Sequence, residues 1–130
     1  MTTSVVVGGS NGLELEIARR FADRGDTVII TGRDRSRADA VAAEIGGNVR
    51  ALAVDLAVPK TIADAFPDVA EVDNLVITAI RQHAISIADF DIEAAIEVMT
   101  VKLVGYIETV RGVWSRLPHP DRPVCGMPTE

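Results

Sequence analysis

Val5-Val6-Val7-Gly8-Gly9-Ser10-Asn11-Gly12-Leu13-Glu14-Leu15-Glu16-Ile17-Ala18 is the stretch on which the reading of this chain turns. A β-branched run, beginning at residue 4, stops abruptly at a glycine cluster, which reads as a buried strand meeting a tight turn. Beyond the turn, Leu13, Ile17, Ala18 and Phe21 recur at the spacing of one helical face, and Gly25 supplies the stop. Strand, glycine turn and helix together open a βαβ unit.

The pattern repeats outward. Residues 27–31 read as a strand, 36–45 as a helix ended by Gly46-Gly47, and 49–54 as a strand, followed by a short helix over 61–66 and a fourth strand over 75–78. Strands alternating with helices imply a parallel sheet covered on both faces, because a crossover must be long enough to return to the same end. The last long element is expected as one helix over 89–117. Ile92, Ile96, Met99, Leu103, Ile107, Val110, Trp114 and Leu117 form one apolar stripe on it, and Ala95, Val98, Val101 and Gly105 lie on a second face. A helix apolar on two sides needs two partners, and one sheet supplies only one. After Leu117 the prolines at 118, 120, 123 and 128 define a tail over 118–130 that accommodates at most an edge strand near Val124, so the domain is expected to occupy 1–117.

Composition narrows the function. With 130 residues and 48% hydrophobic content the chain has material for one real core, against disorder or a small disulfide scaffold. A net charge of -6 with scattered basic groups, and only 4% aromatic residues, argue against a nucleic-acid surface or an anionic membrane. No apolar run spans a bilayer, and the single Cys125 cannot form an internal disulfide, so a cytoplasmic location is expected. Cys125 has no evident partner base and reads as inert, while His83 and His119 lack metal-ligand spacing and read as surface residues, so no metal site is expected.

The chemistry centres on Gly8-x-x-x-Gly12. Glycines there let backbone N–H groups approach a pyrophosphate, and the following helix start adds partial positive charge where phosphates would sit. Residues 5–34 resemble the opening of the short-chain dehydrogenase/reductase family, whose first turn has the form Thr-Gly-x-x-x-Gly-x-Gly. Ala53-Val54-Asp55-Leu56 is similar to the family segment after the third strand, where an Asp contacts the adenine. Val72-Asp73-Asn74-Leu75-Val76-Ile77-Thr78-Ala79 resembles the fourth strand, usually Leu-Val-Asn-Asn-Ala-Gly, and Val101-Lys102-Leu103-Val104-Gly105 the Val-Asn-Leu-x-Gly of the interface helix. The resemblance implies the first half of such a protein: a truncated, Rossmann-like, doubly wound parallel α/β sheet of strand order 3-2-1-4. It also implies cofactor contacts at Gly8, Ser10, Asn11, Gly12, Leu13, Arg33, Asp55, Leu56 and Ala79. Gly32 stands where NAD-preferring members carry an acid, and Arg33 after it suits a 2′-phosphate, which favours NADP.

The chain also departs from the family. Glu14 replaces the third glycine and either faces the phosphates, weakening or abolishing cofactor binding, or points to solvent as a first-turn acid. Val7 replaces the usual Thr, Ile77-Thr78-Ala79-Ile80 lacks the Asn and the final Gly, and Lys102 stands in place of an Asn. The family's Ser and Tyr-x-x-x-Lys are absent from the 130 residues, so no catalytic residue is assigned and a small-molecule substrate is not expected for this chain by itself. Tyr106, the only tyrosine, reads as core or interface. The readings left open are an oxidoreductase lineage interrupted before its catalytic half, a non-catalytic nucleotide-binding module, and an interaction protein that has lost nucleotide binding. A homodimer through the two-sided helix and the exposed edge of the fourth strand is expected in each.

Overall fold

The computed structural model describes residues 2–8, 12–81 and 86–117. Four strands, β1 (Thr3–Val7), β2 (Thr27–Gly32), β3 (Val49–Ala53) and β4 (Asn74–Ile77), form one parallel sheet in the order β3-β2-β1-β4. This is the expected order, and each strand begins and ends within about a residue of its expected bounds.

Side chains alternate across the pleat, and the sequence uses both faces. Val5, Val7 and Ile29 point to one side, where they pack with Val54, Leu56, Ile62, Phe66, Val101 and Val113. Val6, Val28 and Ile30 point to the other, against Ala18 of α1 (Gly12–Asp23) and Ala38 and Ala42 of α2 (Arg35–Ile45). Continuous apolar runs in β1 and β2 are what a sheet buried on both faces requires. Asp34 caps α2 by accepting from the Arg37 N–H at 3.2 Å.

At the amino-terminal edge of the sheet, the buried Asp26 carboxylate, 5% exposed, accepts from Ser4 Oγ at 3.0 Å and from both Nε and NH2 of Arg24. Asn74 Nδ2 donates to the same Ser4 hydroxyl at 3.1 Å, so β1, β4 and the start of β2 are tied at the end away from the glycine turn. The hydrogen bonds and charge of Arg24 hold the Asp26 carboxyl below its ordinary value against the opposing effect of burial.

Two expectations are corrected. The helix expected over 61–66 is instead a pair of 3-10 turns, Pro59–Thr61 and Ala63–Ala65, because Pro59 and Pro67 leave too few residues between them for an α-helix to propagate. The long helix expected over 89–117 is not uniform. It starts as α3 (Ile92–Met99), N-capped by Asp91, which accepts from the Glu93 and Ala94 N–H groups, widens into a π-helical turn over Thr100–Gly105, resumes as α4 (Tyr106–Val113), and tightens into a 3-10 turn over Trp114–Arg116. Val101, Gly105, Thr109 and Val113 form its buried face, leaving Ile92, Ile96, Met99, Leu103 and Ile107 exposed on the opposite side. Gly105 makes this approach possible: a Cβ there would lie 2.7 Å from Leu56 Cβ and 2.8 Å from the Leu56 carbonyl oxygen. Among the described residues no helix is long and apolar enough to cross a membrane. The tail over 118–130, with His119, Cys125 and the position near Val124 where at most an edge strand is expected, lies outside the described residues, as does His83.

Candidate nucleotide-binding cleft

The neighbours of β1 are β2 on one side and β4 on the other, so the sheet is wound in opposite directions from it. A crevice opens at the carboxyl ends of strands at such a point, because the connections on the two sides diverge. The structure has a cleft of about 360 Å³ there, lined by the carboxyl ends of all four strands and the residues just beyond them: Gly8; Thr31, Gly32 and Arg33; Val54, Asp55 and Leu56; Ala79, Ile80 and Arg81. Glu14, Asp34 and Arg37 complete its polar rim, and Val101 of the π-helical turn its apolar wall.

Gly8 fixes the floor. Its φ of 95° lies in the left-handed region, and a Cβ would come within 3.0 Å of both N and Cα of Ala79, so only glycine lets the ends of β1 and β4 close on each other. The Gly8 N–H donates to Thr31 Oγ1 at 3.2 Å, joining the β1 turn to β2. Tyr106 braces the β4 side: its hydroxyl donates to the Ala79 carbonyl at 2.8 Å and accepts from Lys102 Nζ at 3.2 Å. The ring packs half-buried against the core, and the Lys102 ammonium lies 5.0 Å from its centroid.

Charge is distributed unevenly. The Arg33 and Arg37 guanidiniums form no ion pair or side-chain hydrogen bond among the described residues, whereas Arg35 between them pairs with Asp39 and faces away. Asp55 is held by one oxygen: Oδ1 accepts from the Ala57 N–H at 2.9 Å and from Arg81 at 3.3 Å. Arg81 is held in turn by the Glu97 carboxylate of α3. Glu14, left open by sequence between two directions, lines the cleft; its Oε2 lies 3.4 Å from the position a Cβ on Gly12 would take. It therefore places negative charge at the amino-terminal end of α1, where a phosphate would otherwise be favoured.

Of the residues expected at a cofactor site, Gly8, Arg33, Asp55, Leu56 and Ala79 come together in this one cleft. Gly12 opens α1 beside Glu14, and Leu13 is 67% exposed and does not line the cleft, while Ser10 and Asn11 lie outside the described residues. Leu13, expected on the apolar face with Ile17, Ala18 and Phe21, instead stands exposed in the first turn of α1. Sequence reasoning missed Arg81. It lies 26 residues from Asp55 and 16 from Glu97, and no local spacing connects them.

The family model described as short chain dehydrogenase matches residues 2–122. The chain belongs to that family. Among curated proteins it is 32% identical over 119 residues to a D-beta-hydroxybutyrate dehydrogenase of Rhizobium meliloti (strain 1021), covering 85% of this chain and 46% of that protein. Among solved structures, a putative betaketoacyl-ACP reductase aligns with a TM-score of 0.80 at 33% identity, over 88% of this chain and 50% of the other. An F189W actinorhodin polyketide ketoreductase solved with NADPH shares the fold with a TM-score of 0.81 at 24% identity, over 88% and 47%. This short-chain dehydrogenase chain is thus of oxidoreductase lineage, and it spans about half the length of such curated relatives.

Proposed function

We propose that this chain is the cofactor-binding half of a short-chain oxidoreductase and that it binds NADP(H) in preference to NAD(H). The observation that carries the reading is the Arg33 guanidinium at the end of β2: it lines the cleft, has no ionic partner among the described residues, and has Arg37 beside it. Planar guanidiniums suit a phosphate monoester, and no carboxylate stands at Gly32 to take a ribose 2′-hydroxyl instead. The residues fit the rest of the dinucleotide. Gly8 and Ala79 line the floor of the cleft where the phosphates and ribose would lie, and Asp55 offers an acceptor to the base. Glu14 opposes the pyrophosphate and makes the affinity modest.

When bound, the nicotinamide supplies hydride transfer. The chain itself holds and orients the cofactor, and we assign it no proton donor, because the sequence contains no Tyr-x-x-x-Lys and the Tyr106 hydroxyl is already committed to the Ala79 carbonyl. By itself it is expected to bind without turnover. The reading extends to a homodimer in which the apolar groove of Phe90, Ile92, Ile96, Met99 and Leu103 faces its copy, since its lining carries no charged side chain and a twofold axis would bury it identically on both copies.

Calorimetric titration with NADPH and NADH tests the cofactor assignment. Tighter binding of NADPH, with the difference lost in Arg33→Ala, is the expected result. Equal affinities unchanged by that substitution remove Arg33 from its role.

A further inference from the structure

The Arg81 side chain is 21% exposed and spans the mouth of the cleft, from the segment after β4 to the carboxylate after β3, although β3 and β4 are the two outer strands of the sheet. It does not project as a surface arginine. Glu97 holds one of its terminal nitrogens and Asp55 Oδ1 the other. Asp55 Oδ1 also takes the Ala57 N–H, whereas Oδ2 accepts no hydrogen bond among the described residues, and the Asp55 side chain is 39% exposed in the cleft wall. The carboxylate is thus clamped by one oxygen and presents the other.

We propose that Arg81, anchored by Glu97, is a positioning residue that turns Asp55 so that its second oxygen accepts the exocyclic amino group of the cofactor's adenine, giving a preference for adenine over hypoxanthine. This rests on the dinucleotide reading of the cleft. A 2′-phosphate on Arg33 sits at the end of β2, and the neighbouring strand in the direction away from β1 is β3, about 4.8 Å on. The base attached to that ribose is therefore brought to Asp55. A carboxylate only accepts hydrogen bonds, so it selects a base edge that donates. Adenine presents an amino group there, whereas hypoxanthine presents a carbonyl oxygen that the carboxylate repels. A freely rotating carboxylate makes the same choice less sharply, because either oxygen can swing away from the base. The Ala57 N–H and Arg81 together limit that freedom at Oδ1, and Arg81 does so without touching the base-facing oxygen.

The test is a comparison of NADPH with its hypoxanthine analogue, nicotinamide hypoxanthine dinucleotide phosphate, on the full 130-residue chain, the wild type against Arg81→Met and Arg81→Lys. Wild type is expected to prefer NADPH by about tenfold or more, the scale of a hydrogen bond to a charged acceptor. In Arg81→Met the preference falls to about threefold or less, chiefly through weaker NADPH binding, and Arg81→Lys restores part of it. A general loss of packing would weaken both dinucleotides together, so the ratio separates positioning from structure. If Arg81→Met does not fold, Glu97→Gln carries the same expected fall in the ratio. An unchanged ratio in a folded variant overturns the role of Arg81 and leaves the cofactor assignment intact. Tighter binding of both dinucleotides in Arg81→Met overturns it as well, by showing that the arginine closes the cleft. Failure of wild type to bind either dinucleotide overturns the cofactor reading, and this proposal with it.

Discussion

Replacing Gly105 by alanine sets two effects of opposite sign against each other. On helix propensity alone the substitution stabilises by about 1 kcal/mol. The structure opposes it, because the new Cβ would lie 2.7 Å from Leu56 Cβ, 2.8 Å from the Leu56 carbonyl oxygen and 3.2 Å from Leu56 Cγ. Carbon atoms settle about 3.5 to 4.0 Å apart, so the helix or the Leu56 segment must retreat by roughly 1 Å, and one of the atoms in the way is backbone. Overpacking of this kind costs about 3 kcal/mol, the upper part of its usual range, leaving a net loss of about 2 kcal/mol. For a domain of this size that lowers Tm by roughly 6 to 10 °C. Because Leu56 lines the cleft, its displacement also weakens NADPH binding. Gly112 is the control on the same helix. A Cβ there meets only Ala63 Cα closer than 3.9 Å, at 3.3 Å, so Gly112→Ala is expected to hold Tm within about 3 °C. Thermal melts followed by circular dichroism read both. A Gly105→Ala protein as stable as wild type would refute the close seating of the helix on the β3 loop.

Removing the charge of Glu14 while keeping its length, in Glu14→Gln, is expected to tighten NADPH binding about fivefold, from roughly 1 kcal/mol of relieved repulsion at about 4 Å in a wet site; calorimetry showing no change would place the carboxylate away from the phosphates. Asp26 has its pKa lowered by Arg24, so the stability it contributes is full above its unfolded value and is lost as pH falls through the lower folded value. Denaturant titrations should accordingly show wild type more stable than Asp26→Asn near neutrality, with the gap shrinking below about pH 4; a gap that is the same at pH 7 and pH 3 would contradict it. Leu103→Glu places a charge in the apolar groove formed by α3 and the π-helical turn and should convert the proposed dimer to a monomer in light scattering at micromolar concentration. A wild-type monomer, or a dimer that survives the substitution, removes that face as the interface.

The doubly wound sheet was legible because its determinants are local. The valine run of β1, the turn at Gly8 and the Ile17–Ala18–Phe21 spacing are contiguous, and the alternation of strands and helices fixes a parallel arrangement. The π-helical turn was not, since apolar steps of three and four through Met99, Leu103 and Ile107 fit one uniform helix equally well. Its position shows only in the tertiary structure, where Val101 and Gly105 of that turn sit beside Leu56. The cleft shows the same division. Gly8, Arg33, Asp55, Leu56 and Ala79 stand directly at strand ends, where a resemblance can place them. Arg81 follows a segment whose family asparagine and glycine are replaced, and its meaning appears only when folding brings Asp55 and Glu97 to it. Glu14 could be located but not aimed, because a first-turn side chain reaches either solvent or the cleft and only the position of its carboxylate beside Gly12 decides.

The central claim is that the ends of the four strands form a nucleotide site, and amide chemical shifts followed by NMR during an NADPH titration of the 130-residue chain test it most directly. The account predicts saturable shifts centred on Gly8, Gly32, Arg33, Asp55, Leu56 and Ala79, with Thr3, Asp26 and Asp73 at the opposite end of the sheet unmoved. Shifts confined to the α3 face around Ile96 and Leu103, or no saturable shift at all, would contradict it.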